Sequence, residues 1–313
     1  MLCGLTGRNL RRARINNTIL PSAHDRLPRL GLLLLAGLSL FWGLNWPIMK
    51  VVIAEVPPLY FRSCCLLLGG TGLLALARAT GNSIAVPQGQ WRRVLLLSLF
   101  NIIGWNVFAI YGVSLLPSGR AALLGYTMPL WSTLLSVWVL GEQITARRLI
   151  GLVLGLAGIV ALMGGSLGGM MQAPVGVACM ILAAWSWALG VVLFKRLPVA
   201  MPTSSLTGWT MLLGSIPITL AAISLETSRL VMPSFWPAFG LVYNVFVAFM
   251  FCYWAWNRIV LMVPVAVSSL SSLATPLVGV MGGMLILGEP LGWSEVLATL
   301  LILAAVGTVS LKR

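Results

Sequence analysis

The sequence predicts an all-α membrane protein of ten transmembrane helices, built as an inverted five-plus-five repeat. Composition, the spacing of apolar runs and an internal repeat support this prediction. Apolar residues make up 59% of the 313 residues, charged residues 8%, and the mean hydropathy is +0.99. Globular domains carry about 25% charged residues, and a soluble fold of this length could not hide so much apolar surface. We therefore expect the chain to lie in a lipid bilayer, which excludes soluble enzymes and nucleic-acid-binding modules.

Apolar runs of about 20 residues, the length that crosses ~30 Å of hydrocarbon, recur along the chain. Short loops separate them, and the longest loop, residues 78–93, is rich in turn-forming residues. Residues 1–29 are polar and basic without an apolar segment or cleavage site of a signal peptide, so we expect a disordered cytoplasmic arm. The predicted spans are 30–50, 58–77, 94–113, 119–140, 148–166, 174–194, 206–225, 235–257, 263–287 and 293–311.

Basic residues are distributed unevenly between the two sides of the predicted bundle. With ten spans, 16 Lys and Arg residues lie on the side of the termini and 4 on the other, namely Lys50, Arg62, Arg120 and Arg229. Because cytoplasmic loops are enriched in basic residues, both termini are predicted to be cytoplasmic, in the inner membrane. The same pattern accounts for the net charge of +14 without a nucleic-acid partner.

An internal repeat divides the chain into two halves. Residues 117–142 match residues 264–289 at seven of 26 positions without a gap, and Trp42 recurs as Trp187. Because each half holds five predicted spans, an odd number, the halves enter the membrane from opposite faces. Inverted repeats are typical of secondary transporters, whose substrate site lies near the midplane between the halves. The predicted units are the basic arm (1–29), a first repeat (30–166) and a second repeat (174–311).

The repeated motifs resemble the EamA family of the drug/metabolite transporter superfamily. The run from Trp105-Asn106 through Pro117-Ser118-Gly119-Arg120 and Pro129-Leu130 to Leu140-Gly141-Glu142 resembles the first EamA unit, and the run from Thr275-Pro276-Leu277 to Leu287-Gly288-Glu289-Pro290 resembles the second. The resemblance covers about residues 30 to 311. It implies ten helices in two inverted repeats and the export of amino acids or other small metabolites. Ala255-Trp256-Asn257 is also similar to the eighth helix of the YddG-type aromatic amino-acid exporters.

Ionisable residues are placed so that several kinds of chemistry are disfavoured. All six acidic residues lie in the N-terminal arm, in loops or at the ends of spans. Proton-coupled antiporters need an ionisable group within the membrane, so we expect alternating access without coupling through an embedded carboxylate. The one histidine, His24, lies in the basic arm, and the five cysteines lack metal-ligand spacing. We therefore predict no metal, no cofactor and no enzymatic activity.

Deep aromatic and amide side chains are the candidate substrate-binding residues. A buried Trp N–H or Tyr O–H requires a partner, so several of them together predict a shared polar cavity, although packing is the alternative. Hydroxyl residues before Pro276 predict either a helix that faces this cavity or close helix packing. Aromatic walls with a few amides suit a zwitterion that has an apolar side chain. The candidates are Trp42, Asn45, Asn101, Trp105, Tyr126, Trp185, Trp187, Tyr243, Asn244, Ser268 and Ser272.

Taken together, these features predict an inner-membrane secondary transporter that exports amino acids, aromatic ones included, or similar small metabolites. An exporter of drugs or nucleosides is the alternative, since the same aromatic walls would suit a planar drug. A non-transporting membrane scaffold or a lipid-handling enzyme is a remote alternative. The expected partners are a small-molecule substrate and the lipid bilayer. Gly151-x-x-x-Gly155 fits close helix packing, within a monomer or between the protomers of a homodimer.

Overall fold

The computed structural model describes residues 29–141, 146–164, 173–256 and 265–310. Across these ranges the regular secondary structure is helical, and no strand occurs in them. Seven of the described helices are long and apolar enough to cross a membrane by length and composition. Three shorter apolar helices accompany them, at Leu149–Ala161, Ala274–Leu287 and Trp293–Ala305. The all-α fold of a multi-pass membrane protein is confirmed, whereas the count of ten spans stays a prediction.

We number the long helical segments α1 to α10 in chain order. Each predicted span coincides with one of them to within three residues at either end. A short 3₁₀ turn, Thr227–Arg229, extends α7. The bounds are α1 (Arg29–Val52), α2 (Pro58–Ala79), α3 (Trp91–Leu115), α4 (Ser118–Leu140), α5 (Ala146–Gly164), α6 (Pro174–Arg196), α7 (Thr203–Glu226), α8 (Phe235–Trp256), α9 (Val265–Leu287) and α10 (Trp293–Ser310).

Proline and glycine mark several helix ends. Pro58 and Pro174 open α2 and α6, where the missing backbone N–H would have no partner within the helix. Gly141 and Gly288 follow α4 and α9 with φ of +69° and +65°, a left-handed conformation that a side chain would strain. The repeated Leu-Gly pair of the sequence is therefore a helix stop in both halves.

Two helices contain a π-helical segment. These segments are Ser98–Gly104 within α3 and Asn244–Phe251 within α8. They end thirteen residues before Pro117 and Pro264 respectively, so they occupy equivalent positions in the two repeats. Single π turns inside α-helices occur frequently at functional sites.

The two mid-span prolines have different effects. The chain leaves the helical conformation at Tyr126 and Thr127, so that α4 consists of Ser118–Gly125 and Met128–Leu140, with Pro129 in the first turn of the second segment. By contrast, α9 runs as one helix through Pro276. Proline removes a backbone hydrogen bond in both places, but only α4 opens into a turn.

The two halves are interlocked. Helix pairs between them include α2 with α7, α5 with α10, α1 with α9, α4 with α6, α3 with α6 and α1 with α8. Exchanging the halves converts each of these pairs into itself or into another pair of the set, as expected for two repeats of one plan. Where α2 crosses α7, Gly70 faces Gly208, and a Cβ on either glycine would lie 3.0–3.1 Å from the carbonyl oxygen of the other. Glycine is therefore needed for this close approach.

Hydrogen bonds between connections define the two ends of the bundle. At one end, which we call the Lys50 end, Lys50 Nζ donates to the carbonyl oxygens of Val113 at 2.8 Å and Leu116 at 2.6 Å, at the C-terminus of α3. At the opposite end, the Arg196 end, Arg196 donates to the carbonyl oxygen of Val139 at the end of α4. A basic side chain thus satisfies free carbonyl groups of a helix C-terminus at each end.

All four acidic residues in the described ranges lie at the Lys50 end, where each accepts hydrogen bonds at the start of a helix. A carboxylate there satisfies free N–H groups and interacts favourably with the helix dipole. These acids are thereby occupied in capping. The pairs are Glu226 with α2 through the N–H of Leu59, Glu289 with α4 through the N–H of Ser118, Glu55 with α8 through the N–H of Ser234, and Glu295 with its own helix α10 through the N–H of Gly292.

Candidate functional site

A cavity of about 280 Å³ lies between the two repeats. Helices α1, α2, α3 and α4 line it from the first repeat, and α6, α8 and α9 from the second. Its wall is mainly apolar with a few polar groups, which is the usual character of a small-molecule site. The volume is near the lower limit of the ~300–1,000 Å³ typical of ligand pockets, so it suits one small metabolite.

One side of the cavity is a chain of four aromatic rings, which we call the Trp46 wall. Tyr126, Trp46, Trp105 and Trp187 form this chain, from α4, α1, α3 and α6. The ring centroids of Trp105 and Trp187 are 5.3 Å apart at 60°, and those of Trp46 and Trp105 are 6.4 Å apart at 84°. Edge-to-face contacts of this kind stabilise the rings against each other, so the wall is preorganised.

A second aromatic chain, the Trp42 wall, consists of Trp256, Trp42, Tyr253 and Phe249. The centroids of Trp42 and Tyr253 are 5.5 Å apart at 84°. Trp42 Nε1 donates to the carbonyl oxygen of Ala248 at 3.0 Å, within the π segment of α8. Because Trp42 and Trp46 are four residues apart, they share one face of α1, and this helix contributes a ring to each wall.

Two amide side chains supply hydrogen-bond acceptors to the cavity. Asn45 and Asn106 both line it. Asn106 Nδ2 donates to the carbonyl oxygen of Ile102 at 2.9 Å. The buried Oδ1 atoms of Asn45 and Asn106 have no hydrogen-bond partner among the described residues. Since buried polar atoms are normally paired, these two oxygens are available to donors of a ligand.

Among the described residues that line the cavity, Arg62, the fifth residue of α2, is the cationic one. Arg62 is 3% exposed. Its Nη2 donates to the thioether sulfur of Met49, and its guanidinium carbon lies 5.0 Å from the ring centroid of Phe61 and 5.7 Å from that of Phe249. Among the residues that the structure describes, Nε has no partner, and no carboxylate forms an ion pair with Arg62.

At the Lys50 end, contacts between the repeats lie beyond the cavity. Glu289 accepts hydrogen bonds from the N–H groups of Ser118 and Gly119 at 2.6 and 3.1 Å and from the Ser118 hydroxyl at 2.9 Å. These bonds tie the α9–α10 connection to the start of α4. The N–H and hydroxyl of Ser234 donate to Glu55 at 2.6 and 2.7 Å, and they lower the pKa of this exposed carboxyl.

The structure brings together five of the sequence-predicted site residues. They come from α1, α3, α4 and α6. The cavity therefore lies at the depth in the membrane at which the sequence predicted these residues. Binding of a substrate by these side chains stays a prediction. The five residues are Trp42, Asn45, Trp105, Tyr126 and Trp187.

Four other candidates lie away from the lining. Trp185 is 39% exposed on the outside of the bundle. Asn101 packs against Gly190 of α6, Tyr243 donates to the carbonyl oxygen of Phe41 at 2.7 Å, and buried Asn244 donates to that of Gly240 at 3.0 Å. The side chains of the last two candidates, Ser268 and Ser272, lie outside the described part of the chain.

Sequence reasoning did not identify Arg62 as a site residue. It counted Arg62 among the basic residues that flank the spans, although the predicted span 58–77 contains it. A charged residue inside an apolar span is a recognised mark of a functional position, and this signal was present. Trp46 and Phe249 were missed as well, because neither differs in the sequence from an ordinary packing aromatic.

Comparisons with known proteins agree with this architecture. A probable amino-acid metabolite efflux pump of Salmonella typhimurium is 27% identical over 272 residues, 84% of this chain and 89% of the relative. The aromatic amino acid exporter YddG of Ancylobacter novellus is 29% identical over 185 residues, 58% of this chain and 61% of the relative. A solved crystal structure shares the fold, with a TM-score of 0.65 and 22% identity over 89% of this chain and 95% of that one.

The family profile matches the chain twice. The profile of the EamA-like transporter family covers residues 29–164 and again residues 174–311. These segments coincide with the two repeats of the sequence and with helices α1–α5 and α6–α10 of the structure. The doubled match, the helices able to cross a membrane and the cavity between the halves lead to one conclusion: the chain belongs to the EamA-like transporter family and is a multi-pass membrane transporter.

Proposed function

We propose that this transporter exports amino acids, aromatic ones included, from the cytoplasm by alternating access. The observation that carries the proposal is the cavity between the repeats, which combines two aromatic walls with acceptor oxygens that lack a partner among the described residues. The names of the relatives, an amino-acid metabolite efflux pump and an aromatic amino acid exporter, support the same substrate class.

The side chain and the ammonium group of an aromatic amino acid both have complementary groups in the cavity. The Trp46 and Trp42 walls offer ring surfaces to a flat apolar side chain. The Oδ1 atoms of Asn45 and Asn106 can accept hydrogen bonds from an ammonium group. A cavity of about 280 Å³ holds one such molecule.

The mechanism follows from the arrangement of the repeats. Substrate sits between the halves, and rocking of one half against the other exposes it to either side. Opening at the Lys50 end would break bonds between the repeats, namely those that Glu289 accepts at the start of α4 and those that Glu55 accepts at the start of α8. Because the described acids all cap helices at that end, we propose transport down the substrate gradient, without a proton-coupling carboxylate.

Flux of labelled phenylalanine into liposomes that contain the purified protein tests the proposal. Two tryptophans on α6 form a matched pair, since Trp187 lines the cavity whereas Trp185 is 39% exposed on the outside. We expect Trp187→Ala to raise KM by about tenfold, from the loss of ~1–1.5 kcal/mol of aromatic contact, and Trp185→Ala to leave KM unchanged.

The same liposomes distinguish the alternative substrates. Unlabelled tryptophan should compete with phenylalanine, whereas nucleosides and cationic dyes should not. Absence of amino-acid flux, or competition by dyes and nucleosides alone, would overturn amino-acid export, and the second result would favour export of drugs or nucleosides. Accumulation driven by an imposed proton gradient would show that the transport is coupled and would overturn the passive mechanism.

We further propose ten membrane spans with both termini cytoplasmic, in the inner membrane. Most basic residues would then lie on the cytoplasmic side, as the positive-inside rule requires. Reporter fusions can test this at Gln88, in the α2–α3 connection, and at Met232, which is 95% exposed between α7 and α8. We expect a cytoplasmic reporter to be active only at Gln88 and a periplasmic one only at Met232. The same result at both positions would be incompatible with this topology.

A further inference from the structure

Arg62 is an unusual residue for the interior of a membrane protein. An uncompensated charge removed from water is expensive, and ionisable residues at such positions normally pair with one another or serve a function. Arg62 is 3% exposed and lies under α1 and α8, so its side chain cannot reach the lipid headgroups or water by snorkelling. The fold holds this cation at the cavity wall.

The groups around Arg62 do not neutralise it. A guanidinium has five N–H donors and no acceptor. Its hydrogen-bond partner among the described residues is Met49 Sδ, a weak acceptor, while Phe61 and Phe249 supply ring faces and Nε is unpaired. The described acids that could have paired with it are bound to helix N-termini at the Lys50 end. The positive charge is therefore directed at whatever occupies the cavity.

We propose that Arg62 binds the carboxylate of the transported substrate. Arginine is suited to this role because its planar fork can form two parallel N–H···O bonds with one carboxylate. The inference rests on the proposed function, since it assigns the chemistry recognised by the same cavity. It adds a requirement that the aromatic walls alone do not impose, namely that the substrate must carry a carboxylate. An amine that lacks a carboxylate is repelled by the positive charge of Arg62.

The position of Arg62 also orients the bound molecule. Arg62 is the fifth residue of α2, about 6 Å along the helix from its start at the Lys50 end. Asn45, Trp105 and Trp187 lie on other helices around the same cavity. The substrate carboxylate therefore points towards the Lys50 end, and its side chain lies between the aromatic walls.

Competition on the unaltered protein tests this requirement without any mutation. Liposomes are loaded with labelled phenylalanine, and three analogues are compared: 3-phenylpropionate, which lacks the ammonium group, and phenylalaninamide and phenethylamine, which lack the carboxylate. We expect 3-phenylpropionate to inhibit at a concentration at least about tenfold lower than either amine, the difference expected from charge-assisted hydrogen bonds. Equal inhibition by phenylalaninamide and phenylalanine would overturn the proposal.

Variants of Arg62 provide the second test. Arg62→Gln should raise KM by about tenfold or more, and Arg62→Lys, which keeps the charge but loses the fork, should raise it less. Arg78→Gln is the matched control, because Arg78 lies on the same helix and is exposed at its other end. An unchanged KM in Arg62→Gln would overturn the assignment while leaving amino-acid export intact.

Thermal unfolding separates a binding role from a structural one. If Arg62 binds the substrate, Arg62→Gln without ligand should unfold at the same or a higher temperature, because an unpaired buried charge has been removed. We also expect 3-phenylpropionate to stabilise the unaltered protein but not Arg62→Gln. A variant that is destabilised but still stabilised by 3-phenylpropionate would overturn the proposal.

If phenylalanine is not transported but 3-phenylpropionate still stabilises only proteins that keep Arg62, amino-acid export fails and the carboxylate site stands. If Arg62→Gln does not fold, the competition series decides.

Discussion

The hydrogen bonds of Glu289 lead to a quantitative prediction about stability. Glu289 follows α9 in the second repeat, and its carboxylate accepts three bonds at the start of α4 in the first, from the N–H of Ser118 at 2.6 Å, the N–H of Gly119 at 3.1 Å and the Ser118 hydroxyl at 2.9 Å. Glu289→Gln keeps the shape of the side chain and one acceptor oxygen but removes the negative charge. The amide nitrogen cannot accept a hydrogen bond, so a backbone N–H that faces it loses its bond, and the bonds to the remaining oxygen become weaker.

The expected loss can be worked out from these contacts. A hydrogen bond to a charged group contributes about 1.5–3 kcal/mol, against about 0.5–1.5 kcal/mol for a neutral one, so the loss of one bond and the weakening of the others should together cost about 3 kcal/mol. Because Glu289 is only half-buried, solvent screening reduces the total to about 2 kcal/mol. At ~2–4 °C per kcal/mol for a chain of this size, the unfolding midpoint should fall by about 5 °C.

Thermal unfolding of the purified protein in detergent measures this shift, and Glu55→Gln is the control. Glu55 also accepts two bonds at a helix start, from Ser234, but it is fully exposed, so its replacement should not shift the midpoint measurably. Equal shifts for the two variants would refute the reasoning, because they would show that burial of the carboxylate does not matter. No shift for Glu289→Gln would refute it as well.

Two further predictions concern packing and charge pairing between the helices. Gly43→Val should abolish monodisperse protein in size-exclusion chromatography, because even a Cβ at this position would lie 2.9 Å from the Thr275 carbonyl oxygen. Gly37→Ala should be tolerated, since the nearest atom to a Cβ there is 3.6 Å away. Normal elution of Gly43→Val would contradict this prediction. Arg120→Gln should lower the free energy of unfolding by about 2 kcal/mol, because Glu295, 2.7 Å away, loses its charged partner and keeps only its bonds from Gly292 and Ser294. Adding Glu295→Gln should recover part of this loss in a double-mutant cycle, and strict additivity would argue against the ion pair.

The helix bounds could be predicted from the sequence because lipid imposes a length on each span. A run that crosses hydrocarbon must satisfy its own backbone and be about 20 residues long, so the ends of α2 or α6 follow from hydropathy and proline. Once the ends of a span are known, the depth of each of its residues along the membrane normal is known as well. Most of the deep aromatic candidates were therefore placed at the level of the cavity.

Rotation of each helix about its axis could not be predicted in this way. Trp185 and Trp187 are two residues apart on α6, about 200° around the helix, and only Trp187 faces the cavity. In a soluble protein the polar face would have revealed the orientation, but lipid is as apolar as the protein interior. Arg62 was misplaced for a related reason. A basic residue near a span end usually snorkels to the interface, and only the packing of α1 and α8 over it shows that Arg62 does not.

The paired π segments in α3 and α8 also affect which way the side chains beyond them face. Each adds a residue to a helical turn, and both end thirteen residues before the proline that precedes the next span. One extra residue rotates the rest of a helix by about 100°. The parts of α3 and α8 that carry Trp105 and Tyr253 are therefore rotated in the same sense, and both side chains line the cavity.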